Sequence, residues 1–296
     1  MNLSELTSPI RVYWDLAGWA PGPALRQKIC EEIAEAKILF LGLSTFDAGP
    51  VPSCADIIGR LKDRNIALSL TVPPGSFPSA SAMRAAPAVK AVLIQSSSLD
   101  DVRASVEAIK KDGGFVSLSG ISFEVKRGNY RDIPGLVSFC LDSGVRSLVF
   151  PIQRLCGGEE VFYLDEKERE GLGHKLRGIG RRGLQVTIHD PFLWLVFYPG
   201  TDYHEGSCQA ANSMLYISPD CRVYPCPAMP LELGDLKKTT LMEIIHSEEK
   251  KELRKALHNP PGQCAPCVQA GKCHGGCRGR AFALARSFNC IDPSCG

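Results

Sequence analysis

The sequence predicts an α/β fold, a largely parallel sheet with helices outside it, followed by a small cysteine-rich α+β region. Three observations carry this reading. Apolar strand-like runs alternate with helix-period segments over the first two-thirds of the chain. No hairpin signal separates them, and parallel strands need crossover helices, which are right-handed. Nine of the thirteen cysteines fall after residue 207.

The elements follow in order. RVYWDL (11–16) is a strand candidate, and PALRQKICEEIAEAK places Leu25, Ile29 and Ile33 on one helix face. ILFLGLST (38–45) is apolar enough for a strand buried on both faces. CADIIGRLKDRN (54–65) is amphipathic, and IALSLTV (66–72) and KAVLIQ (90–95) read as strands. PPGSFPSASAMRAAP (73–87), between these two strands, is loop-like with room for a short helix. LDDVRASVEAIKKDGG presents Val102, Val106 and Ile109 on one face and ends in a glycine stop. ISFEV (121–125) precedes the helical IPGLVSFCLDSG, SLVFPI (147–152) precedes DEKEREGLGHKLRGIGRRG, and LQVTI (184–188) closes the series. This makes about six β–α units, in a sheet either doubly wound or curled into an open barrel.

The style changes near residue 200, where a domain boundary is expected between 1–200 and 201–296. YPGTDYHEGSCQ is a polar connector, and MLYISPDCRVYPCP reads as a β-hairpin around Ser-Pro-Asp. LMEIIHSEEKKELRKALHN (241–259) reads as one helix, and the cysteine-rich tail follows.

Composition narrows the function. The chain has 296 residues, 44% hydrophobic and 22% charged, with a net charge of +2. That is a globular balance, with no electrostatic case for nucleic acid or a membrane surface. MNLSELTSPIRV lacks the features of a secretory signal, and the longest apolar run, near FLWLVF, is far short of the ~20 residues a membrane span needs. A soluble, cytoplasmic protein is expected. No nucleophile elbow, P-loop or dinucleotide-binding glycine motif is present.

Cysteine is about 4% of the chain, below the roughly 8–10% of a disulfide scaffold. Cys264-x2-Cys267-x5-Cys273-x3-Cys277, with Cys295 beyond and Cys208 and Cys226 flanking the hairpin, suits thiolate ligation of zinc or of an iron–sulfur cluster. Cys30, Cys54, Cys140 and Cys156 are scattered, as packing residues are.

This seven-cysteine pattern resembles the SPASM domain, which follows the catalytic barrel of many radical S-adenosylmethionine (SAM) peptide-maturing enzymes. LYISPDCRVYPCPAM, LGDLKKTTLMEII and CHGGCRGRA share its style. The resemblance implies a partial (β/α)6 TIM-like barrel before the SPASM domain, and two auxiliary [4Fe–4S] clusters. By that resemblance Cys264, Cys267, Cys273 and Cys295 hold the second cluster. Cys208, Cys226 and Cys277 hold the first, with a fourth ligand or an open iron. The family usually has glycine at the hairpin turn where this chain has Cys221, which makes Cys221 a candidate fourth ligand and leaves Cys290 a lesser one.

The barrel departs from the family. A radical SAM barrel carries Cys-x3-Cys-x2-Cys after its first strand. Here those positions fall near Ala20, Ala24 and Gln27, and WAPGPALRQ has no cysteine. The Gly-Gly-Glu-Pro segment at the second strand is replaced by LGLSTFDAGP, which keeps only Gly42. SAM is therefore not expected as a cofactor. Clusters behind a barrel without the SAM-cluster cysteines resemble the GeoRSP system SPASM domain protein family. That resemblance implies a companion of a complete radical SAM/SPASM protein, with a small peptide-binding protein as a further partner and a peptide as substrate. With the first strand near residue 11, no fused peptide-recognition domain is expected ahead of the barrel.

Two rival readings stand beside this one. One is an oxidoreductase or radical enzyme acting through the open iron of the first cluster; the other is a zinc-stabilised binding protein. Among the remaining polar residues, His274 is placed either to hydrogen-bond a cluster sulfur or as an exposed loop residue. His189-Asp190 follows a strand end, where a capping role is favoured. Arg278 and Arg280 either tune a cluster or are solvated.

Overall fold

The computed structural model describes residues 6–16, 21–45, 51–180, 183–201 and 208–295. Seven strands alternate with helices as the sequence implies: β1 (Arg11–Leu16), β2 (Phe40–Thr45), β3 (Ala67–Val72), β4 (Val89–Ser96), β5 (Gly120–Phe123), β6 (Ser147–Phe150) and β7 (Gln185–Ile188). They pair in parallel and in chain order. The connecting helices are α1 (Pro23–Glu35), α2 (Val51–Leu61), α3 (Phe77–Met83), α4 (Leu99–Lys111), α5 (Ile133–Ser143) and α6 (Glu166–Arg177), with α7 (Pro191–Phe197) after β7.

Local chemistry sets several ends. Ser98 caps α4 by accepting from the Asp101 amide. Gly144, at φ 76°, ends α5 where an L side chain would be strained. Asp165 and Glu168 form a capping box on α6. Asp190 caps α7, accepting from the Phe192 and Leu193 amides at 2.9 Å each. That cap is the structural role favoured for Asp190 from sequence.

Strand alternation divides the sheet into two faces. Val12, Trp14 and Leu16 of β1 and Leu68, Leu70 and Val72 of β3 are buried under the helices. Arg11, Tyr13, Ser69 and Thr71 line a cavity on the opposite face. The sheet curls around that face, because the rings of Tyr13 on β1 and His189 beyond β7 meet edge-on at 6.4 Å while no ladder joins the two strands among the described residues. It is thus an open, partial barrel.

The hairpin expected from MLYISPDCRVYPCP forms as β8 (Met214–Ile217) and β9 (Arg222–Tyr224), with the short β10 (Gly234–Asp235) beside it. β8 pairs in parallel with β1, so one ten-stranded sheet runs through both parts of the chain. The segment read as one helix over 241–259 is instead α8 (Leu241–His246) and α9 (Glu248–His258). Ser247 has an extended ψ of 153° and caps α9 through the Lys250 amide, so the serine ends one helix and starts the next. Two short helices, α10 (Ala270–Cys273) and α11 (Arg278–Ala285), complete the tail.

Candidate metal centre

The structure gathers seven tail-region thiols in two groups. In the first, Cys208 precedes β8, Cys226 follows β9 and Cys277 caps the N-terminus of α11. All three line one cavity of about 230 Å³, together with Ile152, His189 and Cys273. Burial raises the Cys226 thiol well above its ordinary range, and the neighbouring Cys208, Cys277 and Cys156 thiols push it further. Burial takes Cys277 up to about 12, opposed by the Arg280 charge. Around Cys208, burial acts upward while Arg254, Arg278 and two backbone amides favour the thiolate. Cationic side chains and N–H donors aimed at sulfur are what a bound anionic centre would draw on.

In the second group, Cys295 responds to the charges of Cys264 and Cys267, and Cys273 to those of Cys295 and Cys264. The Cys267 amide donates to the Cys264 carbonyl at 2.9 Å, closing the Cys-x2-Cys turn. Amides of Gly275 and Gly276 reach the Cys273 sulfur. These glycines have φ of 88° and 71°. A Cβ at Gly276 would sit 2.7 Å from Asp292 and 2.8 Å from Phe192, so the close approach needs glycine. Two polar atoms beside this group are buried with no protein hydrogen-bond partner: His274 Nδ1 next to Cys273, and Ser294 Oγ next to Cys295. An all-thiolate donor set with orphaned donors beside it fits a sulfide-containing cluster, whose sulfurs accept hydrogen bonds. Among the described residues, no three His, Cys, Asp or Glu side chains converge on a single-ion site.

Other cysteines lie elsewhere. Cys221 occupies the hairpin turn with φ 68°, so the turn keeps the left-handed backbone that glycine usually supplies. Its thiol is buried, pushed up to about 11 by that burial, and its charged neighbours are Lys237, Asp220 and Asp235 rather than the other thiols. Cys290 is half-buried in the tail. Cys30, Cys54 and Cys140 are buried in the core, each pushed up to about 12 by burial, as packing residues would be.

Cys156 departs from that group. It sits in the loop after β6, and its sulfur lies 3.1 Å from the Pro227 carbonyl oxygen, 3.5 Å from that of Met229 and 3.6 Å from that of Cys226. The Leu155 amide donates to the Pro227 carbonyl at 2.9 Å and holds the loop there. A lone cysteine 52 residues before Cys208 gives no spacing signal.

Neither Arg278 nor Arg280 is solvated. Arg278 is 2% exposed and donates to the carbonyls of Asn259 and Phe288. Arg280 is 1% exposed and grips Asp292 at 2.9 and 2.7 Å while also reaching Asp190. Burial opposes its charge, but the two carboxylates outweigh that and raise its pKa.

At the barrel mouth, Ala24 and Gln27 lie exposed on α1, and Gln27 donates to Glu31. Ala20 and residues 46–50 lie outside the described residues. Gly42 sits within β2, where a Cβ would press on the Tyr13 ring at 3.1 Å. Sequence reasoning missed a buried polar network at the strand ends. Asp15, 1% exposed, takes Arg154 Nε at 2.7 Å and the Tyr216 hydroxyl at 3.0 Å, and Arg154 also donates to Ser44 Oγ at 3.1 Å. The one hint was an aspartate closing the otherwise apolar RVYWDL.

His189 lies between the barrel cavity and the first thiol group, lining both. Burial, with Arg11 nearby, lowers its pKa to about 4. Unfolded, it protonates near 6.5. The unfolded chain therefore binds the extra proton as pH falls from about 6.5 to about 4, and stability declines over that window. Denaturant unfolding of His189→Gln against the parent is expected to show a shallower loss over the same window.

Residues 208–268 match the SPASM family, an iron–sulfur cluster-binding domain. Two AdoMet-dependent heme synthases, from Nitratidesulfovibrio vulgaris and Oleidesulfovibrio alaskensis, are each 28% identical over 96 residues, 32% of this chain. The matched stretch spans only 26% and 24% of their lengths. Among solved structures, Streptococcus suis SuiB bound to precursor peptide SuiA aligns over 98% of this chain and 76% of its own, with TM-score 0.68 and 12% identity. Native anSMEcpe with bound AdoMet and the Cp18Cys peptide aligns over 96% and 93%, with TM-score 0.65 and 13% identity. The described part of the chain includes no helix long and apolar enough to cross a membrane. The chain thus carries a SPASM iron–sulfur cluster-binding domain on the fold of SuiB and anSMEcpe.

Proposed function

We propose that this protein holds two [4Fe–4S] clusters and serves a radical SAM peptide-modification system as a cytoplasmic companion, by electron transfer or peptide presentation, without cleaving SAM itself. The carrying observation is the division of the tail thiols into two groups, beside a sequence with no cysteine from Leu16 to Lys28. The second cluster falls to Cys264, Cys267, Cys273 and Cys295, and the first to Cys208, Cys226 and Cys277. Bound there, the clusters would supply one-electron transfer. The chain's own residues would set the conditions. Arg254, Arg278 and Arg280 place positive charge near the first group, and backbone amides face its sulfurs. The SPASM part is proposed to begin near residue 201, although β8 joins it to β1. Structures of the same fold bound to SuiA or the Cp18Cys peptide support a peptide as substrate. The partners proposed from the sequence resemblance are a complete radical SAM/SPASM protein and a small peptide-binding protein.

Cys156 is better placed than Cys221 to complete the first group, since it approaches Cys226 while Cys221 faces Lys237 and Asp235. Anaerobic preparations are expected to contain about eight iron and eight sulfide per chain and to absorb near 400 nm. Zinc without sulfide would instead establish the zinc-stabilised reading. Cys156→Ser is expected to change the electron paramagnetic resonance signal of the first cluster, and Cys221→Ser to leave it unaltered; the reverse pattern restores Cys221. 5′-Deoxyadenosine formed from SAM above background, with no partner protein, would favour the independent radical enzyme.

A further inference from the structure

The curled sheet encloses a groove of about 510 Å³ on its concave face. No Asp or Glu is among the described residues lining it, while Arg11, Lys90 and Arg154 supply three cations. Arg154 is committed to Asp15. Arg11 has no carboxylate partner among the described residues. Its guanidinium stands 5.5 Å from the Phe40 ring centre and 5.9 Å from that of Tyr13, and it donates to the Tyr13 hydroxyl at 3.2 Å. Tyr13 thus uses one of five N–H donors and leaves a fork held between two rings. Lys90 donates to the Pro87 carbonyl at 2.8 Å, one of its three ammonium donors.

Position adds direction. Arg11, Lys90 and Gln185 stand at the N-terminal ends of their strands, and His189 follows the C-terminal end of β7. Leu93 and Val149 form an apolar wall of the groove. The His189 ring meets that of Tyr13 edge-on at 6.4 Å, so it stands beside the middle of β1 rather than a full strand length from Arg11. His189 lines both this groove and the cavity of the first thiol group.

We propose that this groove binds an organic anion, its carboxylate or phosphate seated on Arg11, with Lys90 adding positive charge at the same end of the sheet and the body of the ligand lying along the groove. The apolar wall takes the body of the ligand. The missing countercharge makes the site selective: a cationic or neutral ligand would leave Arg11 without a countercharge in a groove lined by no acid among the described residues. A protein carboxylate and a free phosphate present the same chemistry to Arg11. The site uses none of the thiols, so it stands or falls separately from the cluster assignment.

The test is isothermal titration calorimetry of the full chain as purified, using N-acetyl-tetraalanine with a free carboxylate, its C-terminal amide, and inorganic phosphate. The free acid is expected to bind at least tenfold more tightly than the amide, and Arg11→Gln to weaken it by at least tenfold. Lys90→Gln, at an exposed position that leaves the fold intact, is expected to weaken it several-fold. If phosphate binds in an Arg11-dependent way and the peptide acid does not, the seat is one for free phosphate and the organic ligand is overturned. Equal binding of acid and amide, affinity unchanged in Arg11→Gln and Lys90→Gln, or no binding of either anion overturns the proposal.

Discussion

Arg280→Ala is expected to destabilise the protein by about 3–5 kcal/mol, the usual cost of leaving one member of a buried ion pair without its partner. Asp292, fully buried, takes both Arg280 bonds and also accepts from the amides of Cys277 and Ser294 at 2.6 and 2.9 Å. Asp190 meets Arg280 from the other side while capping α7. One guanidinium therefore joins the tail loop, α11 and the end of the barrel. Thermal unfolding and iron retention should both report the loss, with the cysteine-rich part opening first. Arg280→Lys is expected to recover only part of the stability, because an ammonium lacks the two-pronged fork. The double change Arg280→Leu with Asp292→Leu should cost less than Arg280→Ala alone, since the fully buried Asp292 is no longer left without its cation and Asp190 loses its cation in both variants. A double variant at least as damaged as the single one would show that packing, rather than charge, fixes this joint.

Asp15→Ala is expected to cost a comparable 3–5 kcal/mol through the same physics. It would leave Arg154 facing the strand ends without its carboxylate and take the acceptor from the Tyr216 hydroxyl. The network joins β1, β2, the loop after β6 and β8, so its loss should loosen the barrel mouth. Urea unfolding would show a lower midpoint, and Asp15→Ala with Arg154→Met should regain part of it. Failure of the second change to restore any stability would place the cost in the tyrosine contact instead.

Period and composition revealed the strand and helix series because each run meets its own local rule. RVYWDL alternates, and Val102, Val106 and Ile109 repeat at helix spacing. The tail thiols were legible because Cys-x2-Cys fixes two sulfurs in one turn. The break at Ser247 was missed because its cap acts within an otherwise continuous apolar period. Other features depend on residues far apart in the chain: Asp15 finds Arg154 across 139 positions, and Cys156 approaches Cys226 across 70. No local spacing encodes such meetings. Arg280 was also out of reach, since a charged side chain in GCRGRA gives no sign that Asp190 and Asp292 will enclose it.

The pairing of β8 with β1 bears on how the chain is made. Arg11 stands opposite Met214, so one edge of the first strand waits for a partner translated 203 residues later. At roughly 5–20 residues per second, that is a delay of roughly 10–40 s on the ribosome. During that time β1 presents an unpaired edge, the kind of surface that invites pairing with another chain. Slow synthesis would lengthen that exposure, and its consequence would be aggregated nascent chains rather than a less stable finished protein.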